Sequence, residues 1–111
     1  CSSDLVFNVY VSEAGGLGSA ARIFSIAEAA RLPCIIGSMP ELGIGTAAQA
    51  HLAFAMPNLG YASDVNGCVY HSGDVINEKL PIEDGYMLLP SGPGLGVSLD
   101  EAALDKYRID R

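Results

Sequence analysis

Tryptophan is missing from this chain and basic residues are scarce: six Lys and Arg stand against thirteen Asp and Glu, for a formal net charge of −7. A surface built for nucleic acid or an anionic membrane would work against the protein's own field, so neither is expected as a partner. No apolar run approaches the ~20 residues that span a bilayer, and the chain does not open with the basic-then-apolar layout of a secretory signal. There is no charge-rich, aromatic-poor stretch of the kind that stays disordered. Cysteine is sparse as well: three residues cannot all pair, and Cys34 lies in an apolar run where a small thiol simply packs, which suits a reducing compartment. These absences predict a folded, soluble, cytoplasmic chain. It opens at Cys1 rather than Met, as a piece of a longer polypeptide would.

What is present is one domain's worth of chain or less, 111 residues of which half are apolar, with periodicity and punctuation that agree. Leu5 to Val11 is a short, nearly continuous apolar run with β-branched and aromatic content, as expected of a strand buried on both faces. Gly15-Gly16 ends it. From Leu17 to Ala30 the apolar residues Ala20, Ile23, Phe24, Ala27 and Ala30 recur at helical spacing, leaving Arg22, Glu28 and Arg31 for solvent. Pro33 stops the helix, and Cys34-Ile35-Ile36 predicts a second buried strand. After a loop from Gly37 to Gly45, the Ala-rich stretch Thr46 to Met56 predicts a helix halted by Pro57. A third strand is expected to carry Tyr61 and Ala62 toward Asp64. This strand-helix-strand-helix-strand order with short connections favours a parallel sheet with right-handed crossovers. In such folds ligands gather where strands end and loops begin.

The last third changes character. In Leu80 to Leu88, Asp84-Gly85 stands between two strand-like runs, a strong hairpin signal. Pro90 to Gly96 is a rigid, turn-rich segment, and Ser98-Leu99-Asp100-Glu101 reads as a capping box opening a helix through Lys106. The division expected is 1–75, βα units, and 76–111, an antiparallel and peripheral tail. Other motifs carry little. Cys68-Val69-Tyr70-His71 has a metal-site gap but no matching pair. His51 on its Ala-rich helix reads as a core or interface histidine. Gly92 to Gly96 leads to no Rossmann unit, and Ser38 has no recognisable His-Asp partners.

Four groups of residues together are recognisable: Asn8-Val9-Tyr10 with Gly15-Gly16; Gly37-Ser38-Met39, Glu41 and Gly43-Ile44-Gly45-Thr46 with His51; Ser63-Asp64 with Gly67; and Ile82 to Tyr86 with Pro93-Gly94-Leu95-Gly96-Val97. In this order and spacing, over nearly the whole chain, they resemble the C-terminal third of enolase-superfamily enzymes of the mandelate racemase/muconate lactonizing group. The resemblance implies an α/β fold: strands six to eight of a (β/α)8 TIM barrel, followed by a tail that packs on the family's capping domain. It also implies proton abstraction α to a carboxylate, with the enediolate stabilised by a divalent metal, usually Mg²⁺. The family's metal ligands close strands three to five and its Lys-x-Lys base lies on strand two, so no metal ligand is expected in this chain. The implied partners are a small carboxylate substrate and the remaining barrel and capping domain, with a homo-oligomer left open.

The resemblance also assigns roles. Many members carry a second lysine where Tyr10 stands, and the nearest other candidate is Glu13. A phenol with a pKa near ~10 can donate a hydrogen bond or a proton but is a poor neutral-pH base. A one-base dehydratase or cycloisomerase acting on a small hydroxy, sugar or cyclic amino acid is therefore expected ahead of a two-lysine racemase or epimerase. The plain alternative is that Tyr10 packs in a barrel interior. Asp64 matches an acidic residue at the end of strand eight that positions or protonates substrate; otherwise it is an Asx turn before Asn66-Gly67. Ser38 and Glu41 are expected to touch substrate, with Glu41 alternatively pairing a nearby cation. The helix start at Gly43 offers backbone N–H groups to a substrate carboxylate, or is ordinary capping. A third possibility is a non-catalytic piece that pairs its open sheet edges with another chain.

Overall fold

The computed structural model describes residues 5–109. Strand β1 (Phe7–Val9) and strand β2 (Cys34–Ile36) pair in parallel, with Phe7 opposite Cys34 and Val9 opposite Ile36. Helix α1 (Leu17–Ala29) crosses between them, and Ala20, Phe24 and Ala27 form its fully buried stripe. Ile23, expected on that stripe, is instead exposed, as is Ala30, because only the β1–β2 face and one neighbouring helix cover α1. Arg31 at φ 58° turns the chain out of the helix, with its N–H on the Glu28 carbonyl and that of Leu32 on Ala27. Side chains alternate across a strand. Val9, Cys34 and Ile36 are buried beneath the helices, which leaves Asn8, Ile35, Tyr10 and Gly37 to the other face.

Helix α2 (Gly43–Ala55) begins at Gly43 rather than at the expected Thr46. Its first N–H is capped by the Asp74 carboxylate, both oxygens at 2.9 Å, from a residue 31 positions away.

The expected third strand is corrected. The segment after Pro57 runs beside β2 and parallel to it, but only Leu59 makes a ladder contact, opposite Cys34. A regular ladder would then place Tyr61 opposite Ile36. Instead the Asp64 N–H reaches the Ile36 carbonyl at 2.8 Å, and the Ser63 hydroxyl replaces a backbone carbonyl in accepting the Ile36 N–H at 3.0 Å. Tyr61 and Ala62 bulge out, exposed. A 3-10 turn, Gly67–Tyr70, follows.

The hairpin forms as expected: β3 (Ile82–Glu83) pairs antiparallel with β4 (Tyr86–Met87), and Asp84 and Gly85 both take positive φ, 49° and 81°, the geometry of a two-residue primed turn. The tail is less peripheral than expected. Ile76 and Leu80 bury against Ala47 of α2, with Leu95 and Val97 packed beside them. The expected capping box is also corrected. Asp100, not Ser98, caps helix α3 (Glu101–Tyr107), accepting from the N–H groups of Ala102 and Ala103. Ser98 is held elsewhere: its N–H and hydroxyl both donate to Glu78, at 2.6 and 2.7 Å, and hold that carboxyl below its usual range.

Candidate active-site rim

Three parallel segments end side by side, at Tyr10, at Gly37-Ser38 and at Asp64. The Gly37 N–H on the Val9 carbonyl, 3.1 Å, and the Asp64 N–H on the Ile36 carbonyl tie the ends into one rim. Tyr10 lies across Gly37 so closely that a Cβ there would stand 2.6 Å from its ring and 2.5 Å from Asn8 Oδ1. Any larger residue at this position would have to push the Tyr10 ring or the Asn8 side chain aside. Asn8 Nδ2 donates to the Tyr10 hydroxyl at 3.3 Å, which occupies an acceptor lone pair and leaves the phenolic O–H free to point elsewhere.

Ser38 and Glu41 meet within the loop that follows β2. The Ser38 hydroxyl donates to Glu41 Oε2 at 2.5 Å, and the Met39 N–H donates to the same oxygen at 3.1 Å. Burial alone would push the Glu41 carboxyl up. The Ser38 hydroxyl, the backbone N–H groups of Glu41 and Met39, and the Gln49 amide together outweigh it and hold the group below its ordinary value. Glu41 thus pairs with neutral donors rather than with a cation. Asp64 is exposed, whereas the next residue, Val65, is buried in the core with Val9 and Ile36. The backbone N–H of Asp64, bonded to the Ile36 carbonyl, is what fixes this residue beside the end of β2.

Gly43 is in a different position from the one expected. Its N–H is taken by Asp74, and the two residues pack so tightly that a Cβ on Gly43 would meet Asp74 Oδ2 and Ile76. The helix start is closed by the chain itself, so this N–H is not open to a substrate carboxylate.

Two polar residues of this region carry structure that sequence reasoning passed over. Gln49 is fully buried on α2, and its Nε2 donates to the Gly37 carbonyl at 3.1 Å. A polar side chain on the apolar stripe of an Ala-rich helix was the available signal. Asp74 had none, since its partner lies across the fold.

The rim is anionic and neutral. No Lys or Arg occurs before Arg22 or between Arg31 and Lys79, while Glu13, Glu41 and Asp64 lie in the three loops. Among the described residues no three His, Cys, Asp or Glu side chains converge as a metal would require. The set present here does not fit a divalent ion on its own. A cleft of about 540 Å³ is lined by Cys68, His71, Asp74 and Lys79 among others. Two of its polar groups are engaged within the chain: His71 Nε2 sits 2.7 Å from the Pro40 carbonyl, and Asp74 also accepts from the Val75 N–H. His51 contacts the Leu95 carbonyl at 3.1 Å, tying α2 to the tail.

The family model for the enolase C-terminal domain-like fold matches residues 4–103. The chain belongs to the enolase superfamily, in its mandelate racemase/muconate lactonizing group. Among its relatives within that superfamily, muconate cycloisomerase 1-1 of Acinetobacter lwoffii is 32% identical over 105 residues, covering 95% of this chain and 28% of the relative. N-succinylamino acid racemase of Thermus thermophilus is 39% identical over 95 residues, covering 85% and 26%. Of solved structures, muconate lactonizing enzyme from Klebsiella pneumoniae superposes with a TM-score of 0.88 at 30% identity, over 95% of this chain and 29% of that one. Muconate cycloisomerase from Pseudomonas fluorescens gives 0.89 at 33%. This enolase-type chain therefore spans between a quarter and a third of the length of the relatives it matches.

Proposed function

We propose that this chain supplies strands six to eight of an enolase-type (β/α)8 barrel, and that Tyr10, Ser38, Glu41 and Asp64 form one wall of an active site acting on a small carboxylate. The observation that supports this best is the common rim: Tyr10 seated on Gly37, with Ser38-Glu41 and Asp64 at the carboxyl ends of adjacent parallel segments. Relatives named as muconate cycloisomerases and as a racemase support an isomerase or lyase family. In this reading residues 1–75 are barrel and 76–111 a tail that reaches a capping domain. Mg²⁺, if used as elsewhere in the superfamily, is held by carboxylates outside this chain, and no step below passes through it.

The chemistry proposed follows from what this wall lacks. It holds no ammonium group, so neutralising a substrate carboxylate falls to the rest of the barrel. It holds no lysine opposite the base implied on strand two, because Tyr10 stands at that position. Tyr10 then serves as a hydrogen-bond donor or proton donor, with Asn8 filling an acceptor site on its oxygen. Asp64, exposed at the rim, positions the substrate. Such a wall suits one-base chemistry, cycloisomerisation or β-elimination, in which the proton leaves one face and is not returned to the other.

The test is solvent exchange in the full-length protein in D₂O. Turnover without stereoinversion of recovered substrate is expected. Rapid inversion with deuterium incorporation at the α-carbon would reject the one-base reading and favour the second, a racemase or epimerase, which the 39% identity to N-succinylamino acid racemase also supports.

A further inference from the structure

Gln49 is an unusual occupant of its site. Apart from Thr46 it is the one polar side chain among the buried residues of the described core, fully enclosed on an otherwise small and apolar helix stripe. Burying a carboxamide is unfavourable unless its hydrogen bonds are met. Here Nε2 reaches across from α2 to the Gly37 carbonyl, while Oε1 is buried without a hydrogen-bond partner among the described residues. A structural filler would be served better by leucine or methionine. The amide holds the peptide that follows Gly37 and also helps keep the Glu41 carboxyl below its ordinary value, and two features of the rim depend on that peptide. On one side Gly37 lies against the Tyr10 ring, where an added Cβ would stand 2.6 Å from the ring and 2.5 Å from Asn8 Oδ1. On the other side the same peptide leads directly into Ser38, whose hydroxyl closes the loop on Glu41.

We infer that Gln49 is the positioning residue of this wall: by gripping the Gly37 carbonyl it fixes the Tyr10 ring and the Ser38-Glu41 loop relative to each other without itself touching substrate. The inference rests on the proposed rim, since it assigns Gln49 no chemistry apart from it. Mispositioning by an ångström is costly in such sites, whereas a purely packing role would be satisfied by any side chain of the same volume.

The experiment uses the full-length protein with Gln49→Met, which keeps the volume and removes the donor. Two quantities are read: turnover on a carboxylate substrate that the wild type accepts, and the ring-current shift of the Gly37 α-protons under Tyr10 in an NMR spectrum. The expected result is a fall in kcat of about tenfold or more with KM changed less than about threefold, together with loss of the Gly37 shift. Ala27→Gly, a cavity in the α1 stripe remote from the rim, serves as the control at a matched fall in Tm and should keep kcat and the shift. If the methionine variant does not fold, Gln49→Asn is read instead. It retains the amide but falls a methylene short of Gly37, and the same losses are expected. An unchanged kcat with the Gly37 shift intact, or an equal loss of kcat in Ala27→Gly, would overturn the assignment. Should the wild type turn over no carboxylate at all, the proposed function fails, while the Gly37 shift still decides whether Gln49 positions Tyr10.

Discussion

Glu41 shows how a single carboxyl can be held charged without a cation. Its oxygen collects a hydroxyl and a backbone N–H, and these offset the burial that works against it. A carboxyl whose pKa is depressed on folding stabilises the native state above its unfolded value, and that contribution is lost as pH falls through the folded value. Glu41→Gln should therefore cost about 1 kcal/mol at neutral pH, the low end for hydrogen bonds to a charged group because the site is half open to solvent. The gap between variant and wild type should close in acid, and urea melts at pH 7 and pH 3 will check this. The thiols offer a second test. Burial pushes Cys34 up, and burial followed by the nearby Asp74 charge pushes Cys68 up, so both are poor thiolates at pH 7. Alkylation mapped by mass spectrometry should leave both largely unmodified in the native protein and modify both after denaturation. Rapid native labelling of Cys34 would contradict its burial.

Helix α2 owes its start to a distant residue. Neither Leu42 nor any other neighbour in the sequence supplies a side-chain cap, and Asp74 brings both an acceptor and a negative charge to the positive end of the helix. Asp74→Ala should cost about 1–2 kcal/mol, and Asp74→Asn less, because the amide keeps an acceptor and loses only the charge. The measurement is a denaturant midpoint at unchanged slope. The element that crosses behind the loop is equally constrained: a Cβ on Gly67 would stand 2.5 Å from the Glu41 nitrogen and 2.6 Å from its carbonyl oxygen. These are backbone atoms with nowhere to move. Gly67→Ala should destabilise by about 1–3 kcal/mol and disturb the Ser38–Glu41 contact, visible as a shifted Ser38 amide resonance. Hairpin, α1 and β2 were legible in local sequence because periodicity and turn residues act over a few positions. The third strand was not, because its register depends on where a serine hydroxyl can replace a backbone carbonyl.

The molecule as a whole is extended for its length. Its radius of gyration is 15.1 Å, against roughly 13 Å for a compact domain of this size. Two pairs of strands share no sheet, and large apolar residues face outward at several places, Ile26 at 68%, Tyr61 at 63% and Phe54 at 57% exposure. A parallel pair needs both faces covered and its edges paired. Among the described residues β1 has a neighbour only in β2. The 111 residues expressed alone should therefore bind a hydrophobic dye and self-associate, and the same residues within the full-length protein should do neither. A monodisperse isolated chain with no dye binding, by light scattering and fluorescence, would contradict the partial-barrel reading.

Sequence alone determined the alternation of strands and helices, the primed hairpin turn at Asp84-Gly85 and the superfamily, because each is written in short windows of spacing and residue type. It also placed Tyr10 and Ser38 just beyond the first two strands. Only the tertiary structure decided that Asp74 closes the helix at Gly43, that Gln49 grips Gly37, that Ser98 serves Glu78 while Asp100 caps α3, and that the chain bulges before Asp64. For most of these the partners lie far apart along the chain. A polar group's partner is chosen by which elements pack together, and packing depends on shape and burial across the whole fold, not on neighbours in sequence.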